Sequence, residues 1–176
     1  IVFCLNCLFG TTNAFFPLYG LGVGLSLTII GLLRSVRSFC ASVVRPLSGL
    51  VFKVVSFRQV SHGGLIIGAA AVFALTSTRW VPVFAVLFAF MGLSRGLTRS
   101  ATATMVAENR EEGEDQGLGV ASGVYNAGLD LGSIAGPVVG GVLASAMGIG
   151  SMFRVVPLMV LLTYGLGLWL LRRKAS

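Results

Sequence analysis

The chain has 176 residues, 55% of them apolar and only 11% charged, and its mean hydropathy is +0.91. Soluble domains carry about 25% charged residues; a water-soluble fold of this length cannot hide so much apolar surface, whereas a bilayer solvates it. The net charge of +7 comes without a basic run interleaved with aromatics, so it reads as topology-setting charge at span ends and not as a nucleic-acid surface.

A membrane-crossing helix needs about 20 mostly apolar residues, and six segments qualify. The first, 1–18, ends at Pro17-Leu18. It opens on Ile1 without a basic leader region, which marks an internal beginning and an expected fragment of a longer chain. Cys4 and Cys7 sit in an apolar run with no His, Asp or Glu nearby. They read as small apolar residues, not as a redox or metal pair. Asn6 and Asn13 are seven apart and share a face, with Thr11 and Thr12 beside them. Two roles are open for these asparagines: lining a substrate path, or serving as interhelical hydrogen-bond glue.

The second segment, 25–51, carries Arg34 and Arg37 at i, i+3, with Ser38 and Arg45 continuing the stripe. The third, 60–78, begins near His62, which reads as interfacial because no partner ligand has metal-site spacing. Thr78-Arg79-Trp80 makes a tight break before the fourth segment, 81–107, which places Arg95 and Arg99 on one face. A polar stretch, 108–116, follows. The fifth segment, 117–146, contains Asn126 and Asp130 one turn apart. Asp130 is the only acid outside the cluster of Glu108, Glu111, Glu112, Glu114 and Asp115. The sixth, 152–171, stops at Arg172-Arg173-Lys174.

Basic residues in short loops set orientation. With the first span starting in the cytoplasm, Lys53, Arg58, Arg110, Arg172, Arg173 and Lys174 lie inside, and Arg79 and Arg154 outside. Both ends of the chain are therefore expected in the cytoplasm.

Charges inside spans cost about 2.5–3.5 kcal/mol each on insertion scales, so they should face a water-filled cavity or pair internally. At about 1.5 Å per residue, Asp130 and Arg37 lie ~20 Å and Arg95 ~18 Å from the cytoplasmic ends of their spans. The matching depths predict a polar cluster joining the second, fourth and fifth spans, with Asp130 paired to Arg95 or Arg37. An ion pair of that kind serves either a substrate or proton pathway or packing alone. The candidate pathway set is Asp130, Arg95, Arg99, Arg37, Arg34, Asn126, Asn6 and Asn13. Glycines in small-xxx-small spacing let helices touch, and Pro137 permits a bend. Gly123, Gly132, Gly136, Pro137, Gly140 and Gly141 are accordingly the candidate gating or packing residues.

The spacing Gly123-x8-Gly132-x3-Gly136-Pro137-x2-Gly140-Gly141 resembles the glycine-proline antiporter motif of the major facilitator superfamily. Phe16-Pro17-Leu18-Tyr19 with Gly24-Leu25-Ser26 and Ile30-Gly31-Leu32 is similar to that family's first hairpin in its second half. Arg45-Pro46-Leu47-Ser48-Gly49 resembles the entry to its signature loop, and Tyr125 with Asp130-Leu131-Gly132 the start of its eleventh helix. The loop departs from the family pattern at Lys53, Val54, Val55, Ser56 and Phe57, leaving only Arg58, and Arg95-Gly-Leu-Thr-Arg99 lacks the N-terminal half's fourth-helix pattern. The resemblance implies an all-α membrane protein: six transmembrane helices forming the C-terminal half of a twelve-helix fold, helices seven to twelve, with membrane lipid and a missing N-terminal half as partners. It further implies a secondary transporter of a small-molecule substrate by alternating access. The glycine-proline motif hints at proton-coupled efflux of an organic compound from the cell (inner) membrane, with Asp130 as the coupling acid. The arginines point to an organic anion as the alternative cargo. A non-transporting six-span subunit is the reading from another class. No Ser-His-Asp set, metal-ligand cluster or nucleotide loop is visible, so no enzyme, cofactor or metal is expected.

Overall fold

The computed structural model describes residues 1–108 and 115–174; the side chains at 50, 58, 102–103, 105–108, 115–118, 121, 171–172 and 174 lie outside that description. The middle of the polar stretch, with Arg110, Glu111, Glu112 and Glu114, therefore falls outside the described residues, as do the side chains of Arg58, Glu108, Asp115, Arg172 and Lys174. The described chain forms six helices: α1 (Val2–Gly22), α2 (Leu27–Phe52), α3 (Phe57–Ala74), α4 (Val81–Glu108), α5 (Asp115–Met147) and α6 (Ile149–Lys174). Each contains an apolar stretch long enough to cross a membrane.

Local chemistry explains several helix ends. Ser26 caps α2, its hydroxyl accepting from Ile29 N–H at 3.3 Å. The Ser56 N–H donates to Gln59 Oε1 at 3.4 Å where α3 starts. The α1–α2 and α5–α6 turns pass through Gly24 (φ +92°) and Gly148 (φ +84°), a region that costs a side-chain-bearing residue about 1–2 kcal/mol. Pro17, the expected end of the first span, lies inside α1 instead, which runs on to Gly22. A proline inside a helix leaves the carbonyl four residues earlier without its helical donor, and the functional site uses that vacancy.

The helices associate mainly as two pairs, α1 with α5 and α2 with α4. α3 packs on the outer side of α4 and against α6, while α1–α2 and α4–α5 contacts are sparse. Glycines account for the close approaches. On α5, a Cβ at Gly132 would stand 2.5 Å from the Phe3 carbonyl, one at Gly136 would collide with the Cys7 carbonyl, and one at Gly140 would come within 2.6 Å of the Thr11 methyl. On α4, a Cβ at Gly92 would collide with the Arg37 carbonyl and one at Gly96 would stand 2.7 Å from that of Ala41. Gly64 and Gly68 of α3 accept the other side of α4, and the Ser94 hydroxyl donates to the Gly64 carbonyl. Dispersion and backbone proximity can hold helices together where lipid supplies no hydrophobic drive.

Phe16 of α1 meets Phe88 and Phe84 of α4 with ring centroids 4.5 and 5.9 Å apart. All three rings are fully buried, with Ile30 and Leu33 of α2 in the same core. This apolar layer fills the space between the two pairs toward the C-terminal end of α1. Toward its N-terminal end the space is polar.

Candidate functional site

The polar region begins at Asn13. Pro17 has no N–H to offer the Asn13 carbonyl, and Arg34 Nη2 of α2 donates to that oxygen instead. Arg37, one turn further along α2, donates from Nη2 to Asn13 Oδ1 at 2.5 Å. Its guanidinium also lies 5.9 Å from the centre of the Phe88 ring, a cation–π contact that favours a desolvated cation. Arg37 is only 9% exposed. One asparagine and one proline on α1 thus position two cations of α2 at a place where these helices otherwise hardly touch.

One layer further along, Arg95 of α4 stands 5.6 Å above the Phe9 ring of α1. Asn6 is buried beside it and donates from Nδ2 to the Val2 carbonyl at 3.0 Å. Asn6, Phe9, Arg95, Arg99 and Tyr125 wall a narrow recess. Arg99, Tyr125 and Leu129 also belong to a wider cavity of about 380 Å³, completed by Arg45 and Ser100. That volume lies within the usual range for small-ligand sites. Arg99 Nε is buried there with no hydrogen-bond partner among the described residues.

Five arginines therefore converge on the space between α1, α2, α4 and α5. No acid among the described residues forms an ion pair with any of them. Asp130, expected to pair with Arg95 or Arg37, is exposed on α5, and so is Asn126. The pairing fails for a geometric reason. Rise along a helix sets depth but not azimuth, and the glycine face that turns α5 onto α1 points Asp130 elsewhere. Of the eight expected pathway residues, the structure brings together Arg34, Arg37, Arg95, Arg99, Asn6 and Asn13, and leaves Asp130 and Asn126 apart.

The glycine set divides similarly. Gly132, Gly136 and Gly140 abut α1, whereas Gly123 meets nothing within 4 Å and Gly141 only the Phe15 ring at 3.6 Å. Gly123 lies nine residues from Gly132, about half a turn out of phase at 100° per residue, and so faces away from α1. Pro137 is half-buried and its ring stands next to Gly10. His62, read as interfacial, lies inside α3, half-buried, and shares a hydrogen bond through Nδ1 with the Tyr164 hydroxyl of α6. The sequence reading left out Tyr125, Arg45 and Phe9 as site residues. Arg45 and Tyr125 have sequence signals, a stripe continuing from Arg37 and a place one turn before Leu129, but Phe9 has none beyond its apolar run.

The whole chain, residues 1–176, matches the family model of the Major Facilitator Superfamily. The chain belongs to this superfamily. Superfamily members carry small molecules across membranes and are not enzymes, so the six helices are those of an integral membrane transporter. No curated relative matches the sequence.

Proposed function

We propose that this superfamily chain forms the C-terminal six-helix half of a secondary active transporter that moves a small organic anion by alternating access. The observation that carries the reading is the set of five arginines around one cleft with no acid partner among the described residues. Each intramembrane cation costs at least about 2.5 kcal/mol, and no carboxylate among the described residues offsets that cost here. A carboxylate or phosphate in the cleft would, because guanidinium binds both in a fork geometry. Asparagine, tyrosine and serine donors beside the arginines suit a polar cargo. The apolar layer of Phe16, Phe84 and Phe88 closes the cleft at one end, which supports access from the other.

Flux in proteoliposomes of the full-length protein tests this. Anionic solutes are expected to move while neutral isosteres do not, and Arg95→Gln is expected to lower anion flux by about tenfold or more. Equal flux of neutral and anionic forms would overturn the reading.

Asp130 supports an added proton-coupled step, as in efflux of an organic compound by proton exchange. It is the lone acid outside the polar stretch, and it is exposed on α5 with no ion partner among the described residues. Asp130→Asn is expected to remove the effect of a pH gradient on net flux while leaving anion exchange across the membrane intact. A retained gradient effect would assign coupling elsewhere.

The cell (inner) membrane is the proposed location, with both ends of this chain in the cytoplasm. Cysteines introduced at Lys53 and Arg79 are expected to label from opposite sides of the membrane, Lys53 from the cytoplasm. Labelling of Lys53 from outside intact cells would reverse the orientation.

A further inference from the structure

The five arginines are not equivalent. Arg34 and Arg37 already donate to Asn13, and Arg37 is stacked on Phe88. Among the described residues Arg95 stands over the Phe9 ring without a hydrogen bond of its own, and Arg99 has a buried Nε without a partner. A guanidinium has five donors, so this second pair has most of its hydrogen-bonding capacity unspent. The two lie at i, i+4 and present adjacent forks. Arg45, Ser100 and Tyr125 add donors around the cavity of about 380 Å³, and the Leu129 side chain and Tyr125 ring give it an apolar wall. The described lining contains no acid.

We propose that this cavity, together with the adjoining narrow recess into which Arg95 reaches and whose wall it shares at Arg99, Tyr125 and Leu129, is the anion site proper. Arg95 and Arg99 grip the acidic group of an amphipathic anion, Arg45 and Tyr125 hold it at the rim, and Leu129 takes its apolar body. Arg34 and Arg37 are positioning residues that fix α2 to α1. The preferred ligand is a carboxylate on a small aromatic or aliphatic frame. A hydrophilic anion would waste the apolar wall, and a neutral amphiphile would leave two desolvated cations unpaired. The proposal rests on the transport reading only for the ligand's being cargo. The site itself can be tested without transport.

The test titrates benzoate, and benzamide as its neutral near-isostere, into the full-length protein held in phosphatidylcholine nanodiscs, read by calorimetry. Benzoate is expected to bind and benzamide not to. Arg99→Gln is expected to weaken benzoate by about tenfold or more. Arg99→Lys is expected to recover part of that loss, because it keeps the charge without the fork. Arg154→Gln, at a guanidinium that donates to Thr76 away from the cleft, is expected to leave the affinity close to wild type. Absence of benzoate binding in the wild type, benzamide binding as tightly, or Arg99→Gln behaving as wild type would each overturn the site. An anionic lipid headgroup offers the same chemistry. Loss of benzoate binding in proportion to added phosphatidylglycerol would therefore assign the cavity to lipid and overturn the solute assignment. Flux separates the two readings: anion flux that survives Arg99→Gln overturns the site but keeps the transporter, whereas benzoate binding without anion flux keeps the site and overturns the cargo.

Discussion

Gly136→Ala is expected to destabilise the protein by about 2–3 kcal/mol, whereas Gly123→Ala in the same helix is expected to stabilise it by up to about 1 kcal/mol. A methyl at Gly136 collides with the Cys7 carbonyl, and the Cys7 carbonyl carbon and Cα lie only 2.9 and 3.0 Å away. These are backbone atoms of a neighbouring helix, so no rotamer change relieves the clash. The helices must separate, and separation strains the bond from Thr11 Oγ1 to the Gly136 carbonyl, now 2.7 Å long. That hydroxyl also donates to Cys7 O at 3.0 Å, so the crossing loses packing and a shared hydrogen bond together. At Gly123 a methyl meets nothing within 4 Å, leaving only the helix-propensity gain of Ala over Gly. Thermal unfolding in one detergent, followed by monodisperse peak area, measures both variants. Equal melting points would show that α1 and α5 do not meet as closely as the glycine positions indicate.

These contrasting glycines also mark what could be read from the sequence. Hydropathy located six spans because the bilayer sets a length and a composition that no soluble helix needs. The small-residue spacing on the fifth segment was visible because Gly132, Gly136 and Gly140 recur every fourth residue. Gly64 with Gly68 and Gly92 with Gly96 have the same spacing, and they bring α3 and α2 onto α4, but a pair gives a weaker signal than a run. The charged site was half legible. An arginine inside a span announces itself by its cost, so the cations were found. Their partners were not, because depth along a helix says nothing about which helices are neighbours or how each is rotated. α5 lies against α1 and barely touches α4, so an acid at matching height still misses Arg95. The Asn13–Arg34 bond was within reach of a sequence rule. Pro17 must free the carbonyl at position 13 if the helix continues through it, and the expectation that Pro17 ended the span hid that consequence.

Asn13 offers two substitutions with opposite expected signs. Asn13→Leu removes Oδ1, the hydrogen-bond acceptor of Arg37, and leaves a cation only 9% exposed with the Phe88 ring as its remaining described contact. Losing a hydrogen bond to a buried charged group costs about 1.5–3 kcal/mol, and leucine's own burial does not return that amount because position 13 is half-buried already. Arg34 is unaffected, since its acceptor is the backbone carbonyl kept free by Pro17. Asn13→Asp leaves the shape almost unchanged and places a carboxylate between two guanidinium groups that have no acid partner among the described residues. The cations are already desolvated in the wild type, so the added attraction is opposed mainly by the cost of burying one half-exposed carboxylate. The expected result is a higher melting point than wild type for Asn13→Asp and a lower one for Asn13→Leu. Transport should not follow stability. The aspartate lowers the positive potential of the cleft, so anion flux is expected to fall even as the protein becomes harder to unfold. A paired arginine would be the better device if stability alone were at stake. A cleft that must attract an anion and release it again needs its cations left uncompensated, and a melting point that falls in Asn13→Asp would show that the side chain at position 13 does not hold Arg37.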